Sequence, residues 1–228
     1  MTYKAPTPPN QFSWDEERER IMWYKNDLEK GGWQTVLKVP GESAYHIKKF
    51  ADDPIPIKVL FEWEIPFPGD LVFEVYGKVE ERMKWDSAFT FELVGTKTDE
   101  GGQVVYVPYH LFPWPFAPRE WLFRSATKVL LDKKEWVTNL CDVTHPSKPE
   151  RSDMVRMHNG GNFNYITANE SRPNEACNLF ALTTNDIGGW IPGCLKWSTS
   201  IWGRKIPQPF EQTRKDLLIE LAKRQSAK

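Results

Sequence analysis

The stretch NDIGGWIPGCLKWSTSIWGRKIPQPFEQTRKDLLIELAKR, residues 185–224, decides the fold. Asp186, Gly188 and Gly189 break the strand before them, and Pro192 suits a first helical turn, where its missing N–H needs no partner. Ile191, Leu195, Ser198 and Trp202 then fall on one line, with Cys194, Trp197 and Ile201 on the next. Phe210 to Leu221 carry the pattern on beyond Pro207 and Pro209. The spacing predicts a long, tryptophan-rich C-terminal helix over 190–224, kinked by proline and lying as a lid on an apolar interior.

Upstream of that helix the pattern is mostly extended. Residues 13–30 read as a first helix, with Ser13 as cap, Glu16 and Glu17 at its positive end and Gly31-Gly32 as its stop. Strands follow at 33–39, 44–50 and 57–65. In the last, Ile57, Val59, Phe61, Trp63 and Ile65 share one face, Lys58, Glu62 and Glu64 the other, and Leu60 breaks the rule. One polar face implies an antiparallel sheet covered on a single side. From Pro68 to Trp85 the period changes to 3.6, through Leu71, Val72, Val75, Tyr76, Val79 and Met83, and predicts a middle helix. Further strands are expected near 90–97, 102–109, 120–131, 135–144, 154–168 and 176–184. The fold class is α+β: a curved antiparallel sheet of about nine strands wrapped around one long helix, which must enclose a volume. A proline-rich, flexible segment at 1–11 precedes a single domain at 12–226.

Bulk composition excludes several function classes. The chain has 228 residues and a formal net charge of −1, so no basic surface argues for nucleic acid. Three widely spaced cysteines give neither a disulfide framework nor a zinc pattern, and favour a reducing, cytoplasmic setting. No apolar run approaches the ~20 residues of a membrane span. Tryptophan is the outlier, with 11 copies; it fills cores and prefers membrane–water boundaries. Phosphate-cradling glycine loops and the H-E-x-x-H and G-x-S-x-G motifs are absent. His158 with Asp153, or Cys141 with His145, would be the only acid–base or metal pairings, and ordinary strand packing explains both. An enzyme is not expected, and no cofactor or metal is implied.

Three short motifs then line up. Trp85-Asp86 ends the middle helix, Pro118-Arg119-Glu120-Trp121 opens a strand, and Gly188-Gly189-Trp190-Ile191-Pro192 opens the last helix. In this order, on these elements, they resemble the START family of StAR-related lipid transfer domains, over nearly the whole chain. The resemblance implies a helix-grip fold with a lipid tunnel and a soluble carrier, acting as a monomer, that meets membranes transiently. It is nearest to the phosphatidylcholine transfer protein subfamily, whose phosphate contacts correspond to Tyr76 and Arg82. That subfamily's aromatic choline cage falls on Trp121, near Val107 to Tyr109, and on Gly160, which has no ring. Tyr106 lies on a matching strand, and Asn162 stands where an ester-reaching glutamine is found.

The residues themselves leave two readings of Arg82. It follows Val75 and Val79 along the apolar stripe, where a charge must be paired or meet an anion. Asp86, four residues on, offers an ordinary helical ion pair; the resemblance implies a phosphate. Trp121, Tyr106, Tyr109 and Tyr165 are candidates for an aromatic surface around a headgroup or for plain cross-strand packing. The loop 110–119 carries Phe112, Trp114 and Phe116 among prolines, and with Trp190 and Trp197 forms an expected gate or membrane contact. The expected ligand is a glycerophospholipid of phosphatidylcholine type; a sterol, ceramide or fatty acid, held by a lipid sensor, is the alternative.

Overall fold

The computed structural model describes residues 13–95, 102–110, 116–130, 132, 134–191 and 196–227. Helix α1 (Trp14–Lys30) starts where Ser13 Oγ accepts from the Glu16 N–H at 3.4 Å, and ends at Gly31 with φ +86°. Strands β1 (Gln34–Val39), β2 (Ser43–Lys49) and β3 (Ile57–Ile65) follow as an antiparallel meander. Phe61, Trp63 and Ile65 face the main core, and Leu60 packs beneath α1 with Ile21 and Tyr24. That explains the residue out of pattern in β3. It also corrects the expectation of a sheet covered on one side, because α1 seals the middle of the outer face.

The middle helix is broken rather than continuous. A short α2 (Gly69–Val72) runs into a π-helical turn (Phe73–Gly77), Lys78 is extended at φ −98°, and α3 (Val79–Arg82) begins afresh. A π turn adds one residue to the repeat, which a 3.6-residue pattern over so short a span does not reveal. Gly77 suits the break, since a Cβ there would stand 2.5 Å from the Phe73 ring. The indole of Trp85 donates to the Val75 carbonyl at 3.2 Å, taking up an acceptor where the α-helical ladder fails.

Strands β4 (Glu92–Val94), β5 (Gln103–Tyr109), β6 (Arg119–Leu130) and β7 (Glu135–Asp142) come next. The run 154–168, expected as one strand, is three pieces: β8 (Val155–Arg156), β9 (His158–Asn159) and β10 (Asn162–Ala168). Gly160 and Gly161 interrupt it. β11 (Cys177–Thr183) and β12 (Asn185–Asp186) complete the set. The large sheet has the order β1-β2-β3-β11-β10-β7-β6-β5-β4, with β8 parallel to β6, while β9 pairs β12. The fold is the expected α+β helix grip with a large antiparallel sheet and a long C-terminal helix.

That C-terminal element is two helices, α4 (Thr199–Lys205) and α5 (Pro207–Ser226). Ser198, placed by periodicity on the apolar stripe, is the N-cap of α4: its hydroxyl accepts from the Ile201 N–H at 3.3 Å. Pro207 has no N–H to give the Gly203 carbonyl, so the ladder is interrupted between the helices. α5 lies in the concave face of the sheet. Leu217 and Leu221, fully buried, pack with Tyr45, Phe61 and Trp63, and the Phe210 ring lies 4.8 Å from that of Phe61.

Candidate functional site

Strand alternation builds the site. Opposite one another on the concave side stand Val105 and Phe123, Val107 and Trp121, Tyr109 and Arg119. Two chambers lie between this wall, β3, β11 and the C-terminal helices. One has about 630 Å³ of space among its lining atoms and is lined by Tyr109, Trp121, Met157, Trp197, Trp202, Ile206 and others. The other, about 570 Å³, is lined by Phe61, Tyr76, Arg82, Phe91, Asn162, Asn164 and their neighbours. Phe89, Trp121, Thr183 and Phe210 border both, so one aromatic septum separates them. Both spaces are of the size and mainly apolar character of ligand pockets.

Arg82 sits at the polar pole of the second chamber. Its Nε donates to Asp86 Oδ2 at 3.1 Å, and Nη2 bonds the same oxygen. The guanidinium also lies over the rings of Tyr76 (4.6 Å) and Phe91 (4.7 Å). Both sequence readings of Arg82 therefore hold in part: it makes the helical ion pair and still lines the cavity. Asp86, with no side-chain exposure, also accepts from Thr213 Oγ1 at 3.0 Å and the Ala88 N–H at 3.1 Å. Nη1 of Arg82 has no hydrogen-bond partner among the described residues. Tyr76 is buried, which raises its phenol pKa despite the lowering effect of Arg82, and its hydroxyl donates to Asn164 Oδ1 at 3.4 Å.

The headgroup candidates divide. Trp121 and Tyr109 stack at 6.0 Å with planes 7° apart, and Phe89 tilts against both. Burial raises the Tyr109 pKa. Trp121 Nε1 is buried and has no hydrogen-bond partner among the described residues. Asn162 lines the second chamber, but its amide is occupied, donating to Asn185 Oδ1 (3.1 Å) and accepting from the Thr184 N–H (2.7 Å). Tyr106 is a correction: it points to the outer face, where its hydroxyl donates to Glu120 at 2.8 Å and Lys148 covers its ring. Tyr165 is likewise outside, packed in the cluster under α1. Gly160 leaves no room for a cage ring, since a Cβ there would be 3.0 Å from the Thr184 carbonyl oxygen.

Of the gate residues, Phe112 and Trp114 lie outside the described residues. Phe116 is half-buried, Trp190 is 84% exposed, and Trp197 lines the first chamber with Lys196 over its ring. The acid–base pairs weighed on sequence do not form: Asp153 is held by Arg151, and His158 faces Asp142 at 3.4 Å. Among the described residues, no group of His, Cys, Asp and Glu could hold a metal, and no helix is long and apolar enough to cross a membrane.

Sequence reasoning missed the close packing of the motifs. Arg119 Nε donates to the Ile187 carbonyl at 3.3 Å, beside Gly188 and Gly189, which hold φ +58° and +67°. A Cβ on Gly188 would stand 2.7 Å from the Arg156 carbonyl oxygen, so the strand-opening motif and the helix-opening motif lock together. Trp85-Asp86 reaches α5 through Thr213. The three short stretches thus fix the elements that enclose the chambers.

No curated protein matches the sequence. Solved structures share the fold. Human STARD10 has 19% identity and a TM-score of 0.72, covering 95% of this chain and 84% of that one. Human StAR-related lipid transfer protein 5 has 17% identity and a TM-score of 0.69, over 92% and 96%. The human StarD13 (DLC2) lipid transfer and protein localization domain has 17% identity and a TM-score of 0.60, over 93% and 98%. At such identities the likeness establishes fold alone. The family profile of the START domain matches residues 15–201, most of the chain, and with the motifs and the double chamber it makes this protein a member of the START domain family, whose domains bind lipids.

Proposed function

We propose that the protein carries one glycerophospholipid, of phosphatidylcholine type, between membranes. The observation that carries the reading is the placement of Arg82 and Tyr76 at the single cationic pole of an otherwise apolar double chamber. The free Nη1 of Arg82 and the weakly bonded Tyr76 hydroxyl supply donors for a phosphate oxygen. The Trp121–Tyr109 stack offers one aromatic wall for a quaternary ammonium, and the unpaired Trp121 N–H remains for an ester or phosphate oxygen. Each methylene taken from water is worth ~0.8 kcal/mol, in the protein as in a bilayer, so exchange needs an opened gate and no chemical fuel.

A second reading follows from the pairing of Arg82 with Asp86. A guanidinium already neutralised by a carboxylate also suits a neutral polar end, as in a sterol or ceramide. Vesicle-to-vesicle transfer separates the readings. Fluorescent phosphatidylcholine should move with the protein as catalyst, and labelled sterol should not. Sterol transfer without phospholipid transfer favours the second reading, and tight binding without any transfer favours a lipid sensor.

A further inference from the structure

The two C-terminal helices are held by different forces. α5 is tied to the scaffold by polar bonds along its length. Glu211 accepts from Ser43 Oγ (3.0 Å) and Tyr45 Oη (2.9 Å), and Arg214 reaches Glu42 (2.6 Å). On its other flank Thr213 donates to Asp86 (3.0 Å), Asp216 accepts from the Ser87 N–H (3.0 Å), and Arg224 pairs with Glu81 (2.6 Å). α4 has a different character. Its bonds run within its own segment, from the Ile201 N–H to Ser198 Oγ, from Arg204 to the Ser200 carbonyl and from Trp202 Nε1 to the Lys196 carbonyl. Against the sheet it presents apolar surface: Trp202 in the cluster with Ile47 and Ile57, and Gly203 against Val36. Arg204 and Lys205 are exposed and make no ion pair among the described residues.

This difference decides what can open. Apolar contacts can be traded for lipid tails with little net change, because the tails are as apolar as leucine. Polar ties cannot be released into hydrocarbon without leaving unpaired groups. We infer that α4 alone is the gate, swinging about Ile206–Pro207 when Arg204 and Lys205 meet an anionic bilayer, while α5 stays fixed to the sheet. Lys205 and Ile206 line the first chamber, so displacing α4 uncovers it. Pro207, lacking an N–H, leaves the joint without a backbone bond to Gly203. Basic residues near an anionic leaflet contribute attraction that salt weakens. The inference rests on the proposed carriage of lipid.

A reversible lock tests it. A Cβ at Gly203 would stand 3.3 Å from Val36 Cβ, near the ~3.5–4.5 Å that a disulfide spans. The double variant Val36→Cys/Gly203→Cys, oxidised and checked for one crosslink by intact mass, should transfer phosphatidylcholine on the order of tenfold more slowly than its reduced form. Reductant should restore the rate. In the unaltered protein, hydrogen exchange on vesicles containing phosphatidylserine should show loss of protection in residues 199–206 and none in 213–221. Equal transfer by oxidised and reduced forms, or joint loss of protection in α4 and α5, overturns the inference. Failure of the reduced variant and the unaltered protein alike to take up any lipid overturns the carrier reading instead, and hydrogen exchange still judges which helix moves.

Discussion

Asp86 holds Arg82 through one carboxylate oxygen and Thr213 of α5 through the other. The residue proposed to meet the ligand phosphate is thus joined to the helix that closes the grip. Because Asp86 is fully buried, Arg82→Ala would strand its charge and destabilise the protein by roughly 3–5 kcal/mol. Sequence alone suggested that this variant would spare folding; the ion pair reverses that expectation. The neutral pair Arg82→Gln/Asp86→Asn separates the two roles. It should stay within about 2 kcal/mol of the parent in denaturant unfolding. Phosphatidylcholine retention should drop at least ~10-fold. Full retention by the neutral pair would show that Arg82 does not read the phosphate.

Glu81 couples α5 to α3 and gives the fold a measurable acid response. Hydrogen bonds from Lys84 and Arg224 hold its carboxyl at about 2, below the ordinary 4.5. A depressed carboxylate stabilises the fold above its unfolded pKa and loses that contribution as pH falls. The loss should therefore run from pH 4.5 toward pH 2. The site is partly solvated, so less than about 1 kcal/mol is at stake. Glu81→Gln should flatten the stability–pH curve in this window, as followed by urea midpoints, and an unchanged curve would remove Glu81 from the account.

Trp121 borders both chambers and stacks on Tyr109. Trp121→Phe should keep the stack but lose the N–H. Trp121→Ala should weaken phosphatidylcholine binding by about 2 kcal/mol through loss of the cation–π face. Phosphatidic acid, without the ammonium, should be affected far less by the alanine variant. Equal losses for both lipids in a competition assay would assign Trp121 to packing.

Trp190 is 84% exposed beside the two glycines that meet Arg119. Large apolar groups left in water at a cavity's edge commonly have a partner, and tryptophan favours the lipid interface. Trp190→Ala should lower vesicle association in flotation while moving stability by no more than ~0.5 kcal/mol. Unaltered flotation would place the membrane contact elsewhere.

Much of the fold is legible in the sequence because periodicity reports burial. β3 was readable to the residue, and α1 to its cap, since alternation and capping chemistry are local. The breaks were not legible. A π turn at 73–77 and a new cap at Ser198 each shift the repeat by little, and their cause is tertiary: Tyr76 reaches the cavity and α4 packs on β1. Tyr106 shows the same limit at the site. Family position put it in the tunnel, whereas its place in the alternation of β5, one residue before Val107, turns it outward to Glu120. Arg82 with Asp86 was readable as a spacing, but only the fold shows that one pair serves both the interior and α5.

The central claim is that the interior is completed by a lipid. Native mass spectrometry of the protein purified from eukaryotic cells tests this most directly. The account predicts a complex heavier than the chain by one glycerophospholipid, released on collisional activation and lost in Arg82→Gln/Asp86→Asn. A protein that emerges at the mass of its bare chain, and stays so after incubation with phosphatidylcholine vesicles, would contradict it.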